Sequence, residues 1–467
     1  MTEKISTTLR ESSVARWTAL ILLASTMFFA YMFIDVLAPL STMLEQSLKW
    51  TPDTFGSVAG SEYFLNVFAF FLIFAGIILD KMGVRFTAVL SAVVMVVGAS
   101  IKLYGISDGF NAGGFGYDFM SSFWPSFPAS AKMASVGFAI FGCGVEMAGV
   151  TVSKGIVKWF KGKEMALAMG LEMAIARLGV FAVFRLSPIL AEQGGISMSV
   201  GVGTLLLLIG LLSFSVYFFM DRTLERQDAS ARDAADPEEE FKVSDLKAIF
   251  TSKTFMIVAG LCVLFYSAIF PFQKFATGML ESRLSMSTSD ASGLFSYFPI
   301  GAMVLTPLLG WFIDNKGKAG TMLMLGSMLV VICHLIFALT PAASFTFGVA
   351  LAAIILLGIS FSLVPAALWP SVPKLVDNRV LGSAYSIIFW IQNIGLMLTP
   401  MLIGWALKTS NPGVADGIAA GEALKYNYTV PMLIFASLGV VAFFLALWLK
   451  AEDKKKGYGL EMPNVKK

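Results

Sequence analysis

Two side chains in this sequence combine chemical reach with an improbable setting: Glu146 and Arg177. Both fall in residues 141–177, FGCGVEMAGVTVSKGIVKWFKGKEMALAMGLEMAIAR, where a short basic loop (154–163) joins two apolar segments. A charge at the centre of a bilayer costs about 2.5 to 3.5 kcal/mol on insertion scales, so each is a candidate for function. Arginine stays protonated and offers a rigid fork matched to a carboxylate, while a glutamate accepts from an ammonium. Together they could hold a small zwitterion with a free amine and a free carboxylate. The alternative is a permanent ion pair, although buried pairs are poor stabilisers.

Other residue types extend the candidate site. Tyr63 and Asn66 are three apart and share a helical face. Trp369, Tyr385, Trp390, Gln392 and Asn393 could line a pocket, or Gln392 and Asn393 could bond across packed helices. Asp35 and Lys274 are candidates for an ion pair that gates the outer side, with snorkelling of Lys274 as the alternative. Glu172 and Arg185 are further intramembrane charges, and His334 is expected to be a packed histidine.

The elements that must position these groups follow from composition. Of 467 residues, 57% are hydrophobic and 14% charged, against about 25% charged in soluble domains. Mean hydropathy is +0.77, so a polytopic membrane protein is expected. A net charge of +3 gives no footprint for nucleic acid, and the three cysteines lie in apolar segments with no disulfide framework. The polar start lacks a cleavable signal pattern, so the first apolar run is expected to be retained. At about 20 residues per crossing, twelve spans are expected: 17–40, 55–79, 86–106, 130–153, 165–190, 197–220, 254–280, 290–313, 320–339, 344–368, 380–407 and 427–449.

The expected organisation is an all-α protein of two six-helix bundles, 17–220 and 254–449, with a cytosolic start (1–16), a charged linker (221–253) and a cytosolic tail (450–467). Lys49, Lys102, Lys132, Arg283, Lys408 and Lys425 fall in outer loops; Arg177, Arg185 and Lys274 fall within spans; the remaining Lys and Arg lie on one side. That bias sets both termini inside. Glu146 then lies roughly 12 Å, and Arg177 roughly 18 Å, from the inner ends of their spans, near the midplane of a core about 30 Å thick.

A repeat supports the two-bundle reading. GIILDKMGVR (Gly76 to Arg85) follows span two and GWFIDNKGK (Gly310 to Lys318) follows span eight. Both fit G-x-x-x-D-x-x-G-x-[RK], the second with a one-residue irregularity, and repeated halves are a transporter signature. The pattern resembles the loop motif of the major facilitator superfamily. That resemblance implies two rocking bundles around a central cavity, with Asp80, Lys81, Gly83, Arg85, Asp314 and Gly317 in inner-side gating.

A narrower likeness rests on WFKGKE (Trp159 to Glu164) with A-R-L-G at Ala176 to Gly179, on Asp35 with Ala38-Pro39, on Phe270-Pro271-Phe272, on Ala367 to Pro370, on Leu381 to Tyr385 and on Ile391 to Leu396. These segments resemble the lysosomal dipeptide transporters of that superfamily and their prokaryotic relatives. The resemblance implies a dipeptide facilitator without obligate proton coupling, with Glu146 meeting the amine and Arg177 the carboxylate. A proton-coupled organic-anion symporter and a non-transporting sensor on the same fold are the rival readings. No acidic dileucine sorting signal is seen, so a plasma or inner membrane is expected. No nucleotide, zinc-protease or hydrolase motif occurs. No cofactor, metal or enzymatic activity is therefore expected, and the partners are a small zwitterion and the lipid bilayer, with any accessory subunit unknown.

Overall fold

The computed structural model describes residues 8–227, 246–376 and 381–463. The chain opens with α1 (Ser13–Ile34), whose N-terminus is capped by the Ser12 hydroxyl, which accepts from the Ala15 amide. The helix gives way at Asp35 to a 3-10 turn (Ala38–Leu40) and α2 (Ser41–Leu48). The expected second span is not one rod. It runs through α3 (Pro52–Ser61), a short α4 (Phe64–Phe68) and the start of α5 (Phe71–Ile106). The breaks fall at Glu62–Tyr63 and at Ala69–Phe70, where Phe70 takes a positive φ of 51°. Backbone at membrane depth can leave the helix only where protein or a cavity satisfies it. The segment that leaves it here carries Glu62, Tyr63 and Asn66.

Two short helices, α6 (Asp108–Asn111) and α7 (Tyr117–Ser121), fill the outer loop before α8 (Ala129–Phe160). Then comes α9 (Met165–Gln227), 63 residues long. At 1.5 Å per residue a straight helix of that length is about three bilayer cores long. It turns back at Gly194–Gly195, where Gly195 has φ 73°, a conformation open to glycine without steric cost. Gly83 (φ 77°) bends α5 in the same way. Among the described residues, ten helical stretches are long and apolar enough to cross a membrane, and these two bends are where one stretch can carry two of the expected crossings. The expected linker starts later than its sequence suggests, because α9 continues to Gln227; residues 228–245 lie outside the described residues.

The second half holds α10 (Leu246–Thr251), α11 (Lys253–Leu284), α12 (Thr288–Phe295), α13 (Tyr297–Lys316), α14 (Ala319–Leu339), α15 (Phe347–Leu375), α16 (Leu381–Thr409), α17 (Val414–Ala419) and α18 (Thr429–Lys456). Packing is densest within halves: α5 on α8 and α1 on α9 in the first, α14 on α18 in the second. The halves touch through α3 on α16, α9 on α12 and α13, and α11 on the 3-10 turn.

The bonds that join the halves cluster away from the N-terminus. Thr42 donates to Glu281 (2.5 Å), Tyr426 to Glu45 (2.6 Å), Ser289 to Glu192 (2.6 Å) and Arg185 Nε to Ser296 (2.9 Å). Lys408 pairs with Asp53 at 3.0 Å. The backbones of α3 and α16 come so close that a Cβ on Gly404 would lie 2.1 Å from the Pro52 carbonyl oxygen. Toward the other face, Gly76, Gly149, Gly170 and Gly310 have nothing within 4 Å of a would-be Cβ. The joined face is the one away from the N-terminus, the outer face expected from the Lys and Arg distribution. Gly404→Val should therefore push α16 off α3 and weaken the outer seal. Faster thiol labelling of a cysteine placed beside it checks this; an unchanged rate would mean that the helices absorb the side chain.

One assignment from the sequence is corrected. Lys102 is not in an outer loop. It sits within α5, inside the expected 86–106 crossing itself, and is 1% exposed, because α5 packs along α8 so closely that a Cβ on Gly98 or Gly137 would strike backbone of the other helix.

Candidate functional site

Arg177 lies on α9, half-buried, with its guanidinium over three rings: Phe361 at 4.8 Å, Tyr31 at 5.6 Å and Phe270 at 5.6 Å from the centroids. These rings come from α15, α1 and α11, so both halves contribute. Among the described residues Arg177 makes no ion pair. A guanidinium lying on aromatic faces is held by the ring quadrupoles, and its donors are not consumed by a carboxylate. The cage continues through Tyr266, stacked on Phe270 (5.6 Å) and accepting from Trp369 Nε1 at 3.0 Å. Trp369 in turn stacks on Phe389 (4.9 Å), and its carbonyl accepts from Tyr385.

Glu146, on α8, is half-buried and not paired with Arg177. Its contact is Asn393 Nδ2 on α16, at 3.5 Å, the outer limit of a hydrogen bond. Tyr31 lies in the electrostatic field of both Glu146 and Arg177, and of Glu172 and Glu62. The other residues expected from sequence divide. Asn66 is buried with both amide atoms unpartnered, a costly state that a polar guest would relieve. Tyr63 shares the field of Glu146 and Tyr31. Gln392 accepts instead from the Cys262 thiol at 3.4 Å, and Trp390 bonds the Val67 carbonyl and stacks on Phe70. His334 is packed between Phe272 and Phe435 with Nε2 at 2.9 Å from the Ala268 carbonyl. Sequence reading missed Tyr31, Tyr266 and Phe361: a lone aromatic on an apolar helix has no spacing signal, and only the arginine reveals the rings around it.

Asp35 and Lys274 meet across the halves. Lys274 Nζ is 2.8 Å from Asp35 Oδ1 and also donates to the Ile34 carbonyl at 2.9 Å, while Gln273 donates to Asp35 Oδ2. On the face expected to be inner, Asp80 accepts from Lys154 at 2.5 Å, and Arg85 pairs with Glu225, which Lys158 also binds at 2.8 Å. Lys81 is exposed. These pairs tie α5, α8 and the end of α9 together within the first half. In the second half the chain's tail supplies the corresponding acid. Glu461 accepts from the Thr321 amide at 2.8 Å, its carbonyl accepts from the Lys318 amide at 3.2 Å, and Gly317 (φ 74°) leaves room for it. Asp314 lies in the field of Lys374, whose ammonium donates to the Gly459 carbonyl. Glu461 thus caps α14, whose own N-cap residue Lys318 offers no acceptor. Since a lost cap costs about 1 kcal/mol, Glu461→Ala should lower the thermal unfolding midpoint in detergent by about one degree. An unchanged midpoint in replicate scans would show the tail contributes nothing.

The model of the Major Facilitator Superfamily matches residues 23–400. The chain belongs to the major facilitator superfamily. Its curated relatives include proteins named "Lysosomal dipeptide transporter MFSD1": that of Danio rerio is 29% identical over 431 residues, 90% of this chain and 84% of the relative. That of Mus musculus is 27% identical over 90% of this chain and 83% of the relative. Among solved structures, a bacterial homolog of the human lysosomal transporter Spinster, described as inward-facing and occupied, superposes with TM-score 0.68 at 14% identity, over 95% of this chain and 98% of its own. The nucleoside transporter NupG gives 0.65 at 14% identity, over 92% and 99%. These likenesses carry the superfamily fold. The chain is a multi-pass integral membrane transporter, not an enzyme. A plasma-membrane address gains no support, since the curated relatives are named as lysosomal.

Proposed function

We propose that this superfamily member is a facilitated carrier of dipeptides, working by alternating access as a uniporter. The observation that supports it best is Arg177, a guanidinium on three rings with no carboxylate partner among the described residues, with Glu146 unpaired with it and acting on the same Tyr31. Two residues in extended backbone span about 7 Å, so a dipeptide presents its amine and carboxylate to two groups set apart. A single amino acid brings the same charges much closer together. The names of the curated relatives favour the same substrate class. The carboxylate takes the fork of Arg177, the ammonium takes Glu146, and Asn66 and Asn393 are left to the peptide's amide. The opposed halves then rock about the bound solute, with Asp35–Lys274 as the outer closure and the Asp80 and Arg85 contacts holding the inner ends of the first half.

Counterflow in proteoliposomes tests this. Dipeptide counterflow without lumenal acidification is the expected result. Alkalinisation of the external medium driven by net substrate uptake would replace it with the organic-anion symporter, and binding without flux would replace it with a sensor.

A further inference from the structure

Lys102 has no role in the reading above, yet its setting is severe. It is 1% exposed and, among the described residues, makes no ion pair and no hydrogen bond. Its ammonium rests on Phe138, 3.4 Å from the ring centroid, and 5.1 Å from Phe33. An unpaired buried cation is among the most costly groups a fold can carry. A ring face offsets only part of that cost.

The same Phe138 ring is shared with a second ammonium, that of Lys274, at 5.9 Å. Both lysines also line one small cavity of about 10 Å³, with Ile34, Ala38, Phe55 and Ala59, roughly enough for one water. Lys274 is the current partner of Asp35. The charged groups gathered here are Asp35 on α1, Glu62 beyond α3, Lys102 on α5 and Lys274 on α11, each at most 6% exposed. Glu62 has one carboxylate oxygen without a partner and lies in the field of the other three. Glu146 on α8 also acts on Glu62. Three of the four groups belong to the first half; Lys274 belongs to the second.

That division has a mechanical consequence. When the halves part on this face, Lys274 leaves with α11. Asp35 and Glu62 then remain with one cation of their own bundle. We propose that Lys102 is the alternate counter-ion of Asp35, taking it over from Lys274 as the outer face opens. The inference rests on the alternating-access part of the reading above and not on the identity of the solute. Lys102 is stored on Phe138 in the closed state and crosses the small cavity to Asp35 in the open one. The opening face therefore exposes a paired carboxylate instead of a bare one, and the two lysines set the balance between the states from opposite sides.

The test needs no substrate. Ala59→Cys puts a reporter thiol on α3 at the cavity, buried in the closed state. In nanodiscs its labelling rate by a bulky maleimide reads the open population. Lys102→Met should slow labelling at least fivefold, because the open state loses its counter-ion. Lys274→Met should speed it at least fivefold, because the closed state loses its own. Lys102→Arg, which keeps the charge, should recover most of the rate. If Lys102→Met does not yield folded protein, Lys102→Gln against Lys102→Arg makes the same comparison. Equal labelling in the neutral variant and wild type, or faster labelling, would overturn the proposal, as would a Lys102→Arg rate as low as that of Lys102→Met. A failed dipeptide assay leaves this readout intact, so the two readings fail separately.

Discussion

Arg177→Lys is expected to cut dipeptide counterflow at least tenfold at matched protein incorporation. The charge is kept, so simple Coulomb attraction to a carboxylate survives. The geometry does not survive. A guanidinium is flat, here sits 4.8 to 5.6 Å from the centroids of the Phe361, Tyr31 and Phe270 rings, and presents parallel N–H donors that match both carboxylate oxygens. An ammonium can sit over the same rings, but it makes a point contact and loses the second bond. Tenfold corresponds to about 1.4 kcal/mol, the scale of one charge-assisted hydrogen bond. Unchanged flux would take Arg177 out of the site and leave it as a cation held by aromatic packing. Flux lost together with the thermal unfolding midpoint would instead assign it to the joint between α1, α11 and α15. The diagnostic result is a lost rate with an intact midpoint.

The fold could be read from the chain because bilayer thickness fixes the length of an apolar run, and because the paired motifs at Asp80 and Asp314 mark equivalent loops. What could not be read was where a span bends or stops being a helix. The interruption at Glu62–Tyr63 is set by α8, where a Cβ on Gly142 would lie 1.9 Å from the Glu62 carbonyl oxygen, a tertiary contact invisible in the residues 55–79 themselves. Lys102 was misassigned for a related reason. Near the end of an apolar run a lysine looks like a snorkelling residue, and only the close approach of α5 to α8 turns it inward. At the site, charge was the legible signal: Glu146, Arg177, Asp35 and Lys274 stand out because intramembrane charge is costly. The rings that receive Arg177 carry no such cost, and nothing in their spacing separates them from the other aromatics of a membrane bundle. Glu461 illustrates the limit for tails. It follows α18 by a turn through Gly457 and Gly459, both at positive φ, and its contact with Thr321 spans 140 positions.

Glu146→Gln is expected to act on one end of the solute. The substitution keeps the volume and leaves an oxygen that can still accept from Asn393, now 3.5 Å away, so the link between α8 and α16 is preserved. What goes is the negative charge. A hydrogen bond to a charged group is worth about 1.5 to 3 kcal/mol, against about 0.5 to 1.5 for a neutral one, so the ammonium of a dipeptide should lose on the order of tenfold in affinity. An N-acetylated dipeptide has no ammonium to lose and should change much less. The ratio of the two, measured by competition against a labelled dipeptide, cancels effects on expression, folding and the rocking step. This matters because Glu146 touches the other half through Asn393, and a variant that merely loosened the joint would slow every solute alike. An unchanged ratio with both rates reduced would make Glu146 a link between the halves. A ratio shifted toward the acetylated peptide would put the charge of Glu146 on the amine, which is the one contact that distinguishes a peptide from a simple organic anion at Arg177.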